Sequence, residues 1–261
     1  MISSDDNVKT VIDAWKLMSG RFAGSDFQRV EGVASTFANI PLSFFNISFQ
    51  ERPAASAAEL RGMLATMQRR AKACPHPSII GLCEDWVPED WQAIAEEKGF
   101  TFVLNMTGMA ADELLPPRRP SLALEYRRVQ DDATARDLAM INAHAYQMPP
   151  EMWECLCNLQ LWNADSYGYV GYRDGKAVSS TAALPIEGAM YIALVATMPE
   201  EHGKGYAEAV MRKAIEQGQT GMGKRRMVLH ASDMGRPLYQ SMGFGAGCRI
   251  PLLAPPAAAQ H

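Results

Sequence analysis

The chain has 261 residues, with 25 Lys plus Arg against 29 Asp plus Glu and a formal net charge of −4. At about 150 residues per domain that length holds one large or two small domains. The mildly acidic balance excludes a general binder of nucleic acid or of an anionic membrane surface. A hydrophobic share of 48% with 21% charged residues excludes long disorder. The five cysteines, Cys74, Cys83, Cys155, Cys157 and Cys248, include no C-x-x-C pair, which suits reduced, mostly buried thiols in a cytoplasmic protein. No basic stretch followed by an apolar core occurs near Met1, so no signal peptide is expected. The longest apolar run, 189–198, is too short to span a bilayer and suits a buried strand.

In chain order, the pattern predicts a helix over 8–21, strands over 32–38 and 42–49, and a helix over 56–73. Ser56 stands three residues before Glu59, the spacing of a capping box. A short strand over 78–83, a helix over 88–98 and a strand over 100–106 follow, with Gly99 suited to end the helix. Leu-Leu-Pro-Pro-Arg-Arg-Pro at 114–120 continues neither a helix nor a central strand. It divides the chain into expected domains 1–115 and 121–254, and 255–261 reads as a frayed tail. Beyond it come a strand over 122–129 and helices over 131–146 and 149–161. Strands over 167–172, 176–184 and 190–197 form a meander, the first turn being Arg173-Asp174-Gly175. A helix over 206–217, a strand over 227–230, a short helix over 235–242 and a strand over 247–252 complete an α/β or α+β arrangement.

Val195-Ala-Thr-Met-Pro-Glu-Glu-His-Gly-Lys-Gly-Tyr-Ala-Glu208 is a strand, a loop and a helix start. Gly203 and Gly205 let the backbone turn sharply and approach a ligand. The first amides of the helix have no internal partner, and with the helix dipole they favour an anion such as a phosphate. Pro199 is expected to stop strand pairing and free the edge of 190–197 for an extended ligand. G-x-x-x-x-G-K-[ST] is absent, and Glu208 stands where G-x-G-x-x-G needs its last glycine. A glycine turn before a helix is also an ordinary α/β feature. Downstream, Tyr239 lies in a short helix ending at Gly243-Phe244; a phenol there can protonate a thiolate leaving group, or be a half-buried aromatic.

Together these residues resemble the GNAT superfamily of acyl-CoA-dependent N-acetyltransferases, over roughly 122–253. The family signature Gln/Arg-x-x-Gly-x-Gly/Ala reads His202-Gly-Lys-Gly205-Tyr-Ala207. The pattern Asn-x-x-Ala-x-x-Leu-Tyr-x-x-x-Gly-Phe reads Ser232-Asp-Met-Gly235-Arg-Pro-Leu238-Tyr239-Gln-Ser-Met-Gly243-Phe244. The resemblance implies a central mixed, mostly antiparallel sheet flanked by helices. It implies that the amides of Gly203, Lys204, Gly205, Tyr206, Ala207 and Glu208 cradle the CoA pyrophosphate, with His202 at the loop's head. It further implies that Val195, Ala196 and Thr197 pair with pantetheine, one of their amides polarising the thioester carbonyl. Ser232 stands near the pantetheine, and Tyr239 is the general acid. Tyr146, Glu151 and Trp153, with Trp162, fall where the family lines its acceptor site; each is equally a core or surface residue. Acetyl-CoA is the implied co-substrate, with no metal.

Three departures stand out. His202 replaces Gln/Arg, Ser232 replaces Asn, and Met227 occupies the place where some members carry a glutamate base. Glu151, Glu187, His230 or a water chain are the alternatives for that base. The N-terminal piece has a similar rhythm and ends a helix in Lys98-Gly99-Phe100, but lacks a Gly-x-Gly loop. It resembles a degenerate GNAT-like domain, smaller and of related topology. The expected reaction is direct acetyl transfer to a primary amine of a small molecule or peptide, without nucleic acid or membrane as partner; a homodimer is possible. The alternative is a catalytically idle acyl-CoA-binding or regulatory protein.

Overall fold

The computed structural model describes residues 2–118, 123–162 and 165–256. The end of the proline-rich seam, the first residue of the strand expected from 122, and residues 257–261 of the expected tail lie outside them.

Ser3 accepts the Asp6 N–H at 3.1 Å and caps helix α1 (Ser4–Ser19), whose Val8, Val11, Ile12, Trp15 and Met18 are buried. Strands β1 (Asp26–Val30) and β2 (Val33–Phe37) form an antiparallel hairpin, β1 being absent from the sequence reading. Instead of one strand over 42–49 there is a 3-10 turn (Ser43–Phe45) and then β3 (Asn46–Gln50). The buried Asn46 side chain donates to the carbonyls of Ile40 (2.7 Å) and Pro77 (3.0 Å), which fixes that turn. Ser56 accepts the Glu59 N–H at 3.2 Å and caps helix α2 (Ala57–Ala73). Strand β4 (Ile79–Gly81), helix α3 (Trp91–Glu97) and strand β5 (Thr101–Ala111) follow. Gly99, at φ +79°, ends α3, its N–H and that of Phe100 closing on Glu96 and Ala95 carbonyls.

Strand β6 (Glu125–Arg128) leads to helix α4 (Asp132–Ala145), which carries a full capping box between Asp131 and Thr134. The helix expected over 149–161 is only α5 (Pro150–Trp153), followed by 3-10 turns at Glu154–Cys157 and Leu159–Trp162. Then come β7 (Tyr167–Arg173), β8 (Lys176–Ile186), β9 (Ala189–Thr197), helix α6 (Tyr206–Met222), β10 (Arg226–Ser232), helix α7 (Arg236–Ser241) and β11 (Gly245–Ala254).

Compactness divides the chain otherwise than by one cut. One unit is Met1–Met109 with His230–Pro237 and Gly245–His261; the other is Ala110–Leu229 with Leu238–Phe244. In the first, the strand order is β1-β2-β3-β4-β11-β5, with β11 antiparallel to β4 through Leu252↔Gly81. Leu60, Leu64, Met67, Ile80, Leu82, Ile94 and Leu253 are packed at its core. In the second, the order from the first residues of β10 is β10-β9-β8-β7-β6, antiparallel except between β10 and β9. Among the described residues, no helix is long and apolar enough to cross a membrane, and no group of three His, Cys, Asp or Glu could hold a metal ion.

A buried polar chain holds the first unit together. Asn7 donates from Nδ2 to the Cys248 carbonyl (3.1 Å) and sulfur (2.6 Å), and its Oδ1 accepts from His230 Nε2 at 2.7 Å. Cys83 lies 3.4 Å from the Cys248 sulfur; its S–H and the Asn7 amide hold the Cys248 thiol down to about 7. Gly108 makes room for Asn7, since a Cβ there would lie 1.7 Å from Oδ1. Gly108→Ala therefore overpacks the site and lowers stability by about 1–3 kcal/mol in urea unfolding; unchanged stability would show that Asn7 can move aside freely. Burial pushes the His230 imidazole down to about 3 from 6.5. The unfolded chain then binds the extra proton, so stability is present above pH 6.5 and is lost as pH falls from 6.5 towards 3. The loss should be smaller in His230→Gln across that window; identical pH profiles would refute it.

Candidate active site

The second unit contains a strand that opens. Strands β8 and β9 pair from Ile186↔Ala189 to Ala182↔Ala193 and resume at Ser180↔Ala196. Two residues of β9, Leu194 and Val195, thus face the single Thr181, a β-bulge. Leu194 has φ +53°, a left-handed conformation unfavourable for a residue with a Cβ. On its other side β9 pairs with β10 only from Arg226↔Ala189 to Val228↔Tyr191. From Ile192 onward that edge has no ladder partner on β10. The edge expected to be free is therefore present, but Pro199 is not its cause: pairing with β8 runs on to Ser179↔Thr197, and Pro199 begins a 3-10 turn, Pro199–Glu201.

The end of β9 is tied down from β8. Ser179 Oγ donates to the Ala196 carbonyl at 2.7 Å and lies 2.9 Å from Thr197 Oγ1. The Met198 N–H bonds the Val178 carbonyl at 3.0 Å. His202 donates from Nε2 to the Thr197 carbonyl at 3.0 Å, linking the loop to the strand end. Gly203 and Gly205 have φ +75° and +88°, and Gly205 is the N-cap of α6. The first bond of the helix runs from the Ala209 N–H to the Gly205 carbonyl, 3.2 Å. The amides of Tyr206, Ala207 and Glu208 are left without helical acceptors. An added Cβ at Gly203 would meet nothing within 4 Å, so space adjoins the loop. Two of the acids nearby are paired, Glu201 with Lys204 at 2.7 Å and Glu208 with Arg212 at 2.8 Å. A diphosphate fits this cradle: donors and the positive end of a helix dipole face open space, and the Glu201 and Glu208 carboxylates are neutralised.

Tyr239, on α7, is buried, its ring edge-on to Phe244 at 6.2 Å. Burial, and then the charge of Tyr146, push its phenol above the ordinary tyrosine range. Tyr146 stacks on Trp153 at 5.3 Å and 17°. The structure thus groups Tyr146, Trp153 and Tyr239, while Glu151 is exposed in the first turn of α5. Trp162 is a core residue, its indole N–H on the Leu156 carbonyl at 2.8 Å and its ring against Gly168. Ser232 ends β10 in the first unit, exposed, its hydroxyl accepting the Gly235 N–H at 3.3 Å.

The candidate bases fare unequally. Glu187 sits in the β8–β9 turn, at the other end of β9 from Val195, roughly 25 Å along the strand. His230 is buried and neutral, with Nε2 committed to Asn7. The sequence reading missed Leu194, Ser179, Ser180 and Asn142; the signal was Ser179-Ser180-Thr181 inside a buried strand and an asparagine on the apolar side of α4.

Residues 134–244 match the family model described as "Acetyltransferase (GNAT) family". No curated protein matches the chain. Among solved structures, a GCN5-related N-acetyltransferase from Kribbella flavida superposes with TM-score 0.71 at 18% identity, over 95% of each chain. One from Sphaerobacter thermophilus gives 0.60 at 15%, over 87% of this chain and 78% of its own. A tandem GNAT protein from the clavulanic acid biosynthesis pathway gives 0.56 at 12%, over 100% and 98%. At these identities the structures show fold alone, and that fold is shared over nearly the full length of this chain with proteins that include a tandem GNAT protein. Residues 134–244 are thus an acetyltransferase domain of the GNAT family.

Proposed function

We propose that the protein transfers an acetyl group from acetyl-CoA to a primary amine of a small molecule or peptide, directly and without a covalent enzyme intermediate. The observation that carries the reading is the pairing, within one unit, of an opened strand edge at 192–197 with a glycine-capped helix start at 203–208. Bound acetyl-CoA would supply the activated acyl group. The amides of Gly203 to Glu208 hold its diphosphate, and the edge of β9 pairs with its pantetheine arm. The Val195 N–H polarises the thioester carbonyl. As the amine nitrogen bonds to the carbonyl carbon and the C–S bond breaks, Tyr239 gives its proton to sulfur and regains one from solvent. The amine's surplus proton leaves through water. A buried phenol suits this task because it keeps its proton through neutral pH. The stacked Tyr146 and Trp153, with the Glu151 carboxylate on the same short helix as Trp153, offer π-faces and a negative charge to a cationic amine. The free cysteines are consistent with work in the reducing cytoplasm.

A second reading, a catalytically idle acyl-CoA binder, is favoured by the base candidates. Glu187 is remote from Val195, His230 is neutral and engaged, and Met227 is buried and apolar.

Thiol release from acetyl-CoA, measured across an amine panel, separates the readings. Tyr239→Phe should lower turnover by about 10²-fold with acetyl-CoA affinity unchanged. Tight binding without release by the parent chain supports the idle reading, and absence of binding overturns both. In a spectrophotometric titration, the difference between parent and Tyr239→Phe should show the Tyr239 phenol ionising above pH 10, so that turnover does not decline through its loss at lower pH. Ionisation below pH 10 would contradict the buried position.

A further inference from the structure

We propose that Ser180 and Asn142 are positioning residues that aim the Val195 N–H at the open edge of β9 by holding the Leu194 carbonyl on the side of β8. The inference rests on the acyl-CoA reading above, which gives that amide its task.

Asn142 lies on α4 with none of its surface exposed. Its Nδ2 donates to the Leu138 carbonyl at 2.9 Å and to Ser180 Oγ at 3.1 Å. Ser180, on β8, is equally buried and donates to the Leu194 carbonyl at 3.1 Å. The order of donors is forced. An amide NH2 can only donate, so Ser180 accepts from it and its single proton is left for Leu194. Rotating the Asn142 amide would set two carbonyl oxygens, its own and that of Leu138, against each other.

The consequence follows from the planarity of the peptide. In a trans peptide the C=O of one residue and the N–H of the next point in opposite directions. With the Leu194 carbonyl drawn towards β8, the Val195 N–H points away from β8. On that side the ladder to β10 has already ended at Tyr191. The left-handed φ of Leu194 is the strain this geometry requires of a residue with a Cβ.

A cost on the other partner argues against mere packing. Asn142 Oδ1 is buried and has no hydrogen-bond partner. A leucine would fill similar space without leaving a polar atom unsatisfied. Asn142 is therefore a poor choice for stability and a useful one for fixing the Ser180 hydroxyl.

The test combines conformation with kinetics. The three-bond amide-to-Hα coupling of Leu194, read by NMR, distinguishes left-handed from extended backbone. Ser180→Ala should shift it to the extended value and lower kcat by on the order of 10- to 100-fold, with acetyl-CoA Kd changed little. Asn142→Leu should leave the melting temperature equal or higher yet still lower kcat, because the Ser180 hydroxyl is freed to rotate. A structural role would move activity and stability together. A left-handed coupling retained in Ser180→Ala overturns the proposal whatever the activity. So does turnover in both variants equal to that of an active parent. A parent that binds no acetyl-CoA instead overturns the functional reading, and with it the task given to the amide.

Discussion

A backbone N–H that leaves a β-ladder must find another acceptor, and this protein concentrates such departures in one unit. Strand β9 loses β10 after Tyr191, and the bulge at Leu194 and Val195 breaks its register with β8. A few residues later, α6 begins at a glycine with no capping side chain. The other features of the site serve these two openings. Ser179 and Ser180 fasten the strand from β8, His202 fastens the loop to Thr197, and Arg212 and Lys204 neutralise the acids beside the exposed amides. What remains presented is main-chain donors, which suit a phosphorylated, extended ligand better than side chains of any one kind would.

The parts of this design visible in the sequence are those whose chemistry is local. Ser56 and Asp131 cap their helices because a short side-chain acceptor reaches an N–H three residues on. Gly203 and Gly205 adopt the positive φ that only glycine takes at little cost. The parts that were not visible are made by distant residues. Leucine has no preference for the left-handed bend at 194; a serine on β8 and the amide of its partner on α4, Asn142, hold it there. Proline at 199 lies beyond the last residue paired with β8, while the edge facing β10 is already open after Tyr191.

Helix length was misjudged where the signals conflict. Pro149 suits a helix start, and 150–153 obeys it, but the run then tightens into 3-10 turns whose Trp162 caps the Leu156 carbonyl. Long-range pairing was equally hidden: nothing in the residues of β11 announces that β4 is their neighbour. The polar chain from His230 through Asn7 to Cys248 joins three distant segments, so His230 alone reads as a candidate base and Cys248 as a buried thiol.

The proposed reaction needs the amides at 203–208 and along 192–197 to receive the CoA moiety. The most direct measurement is the amide spectrum of the isotope-labelled protein during titration with CoA. The largest shifts are expected on Gly203 to Glu208 and on the second half of β9. Saturable binding that leaves both stretches unmoved would contradict it.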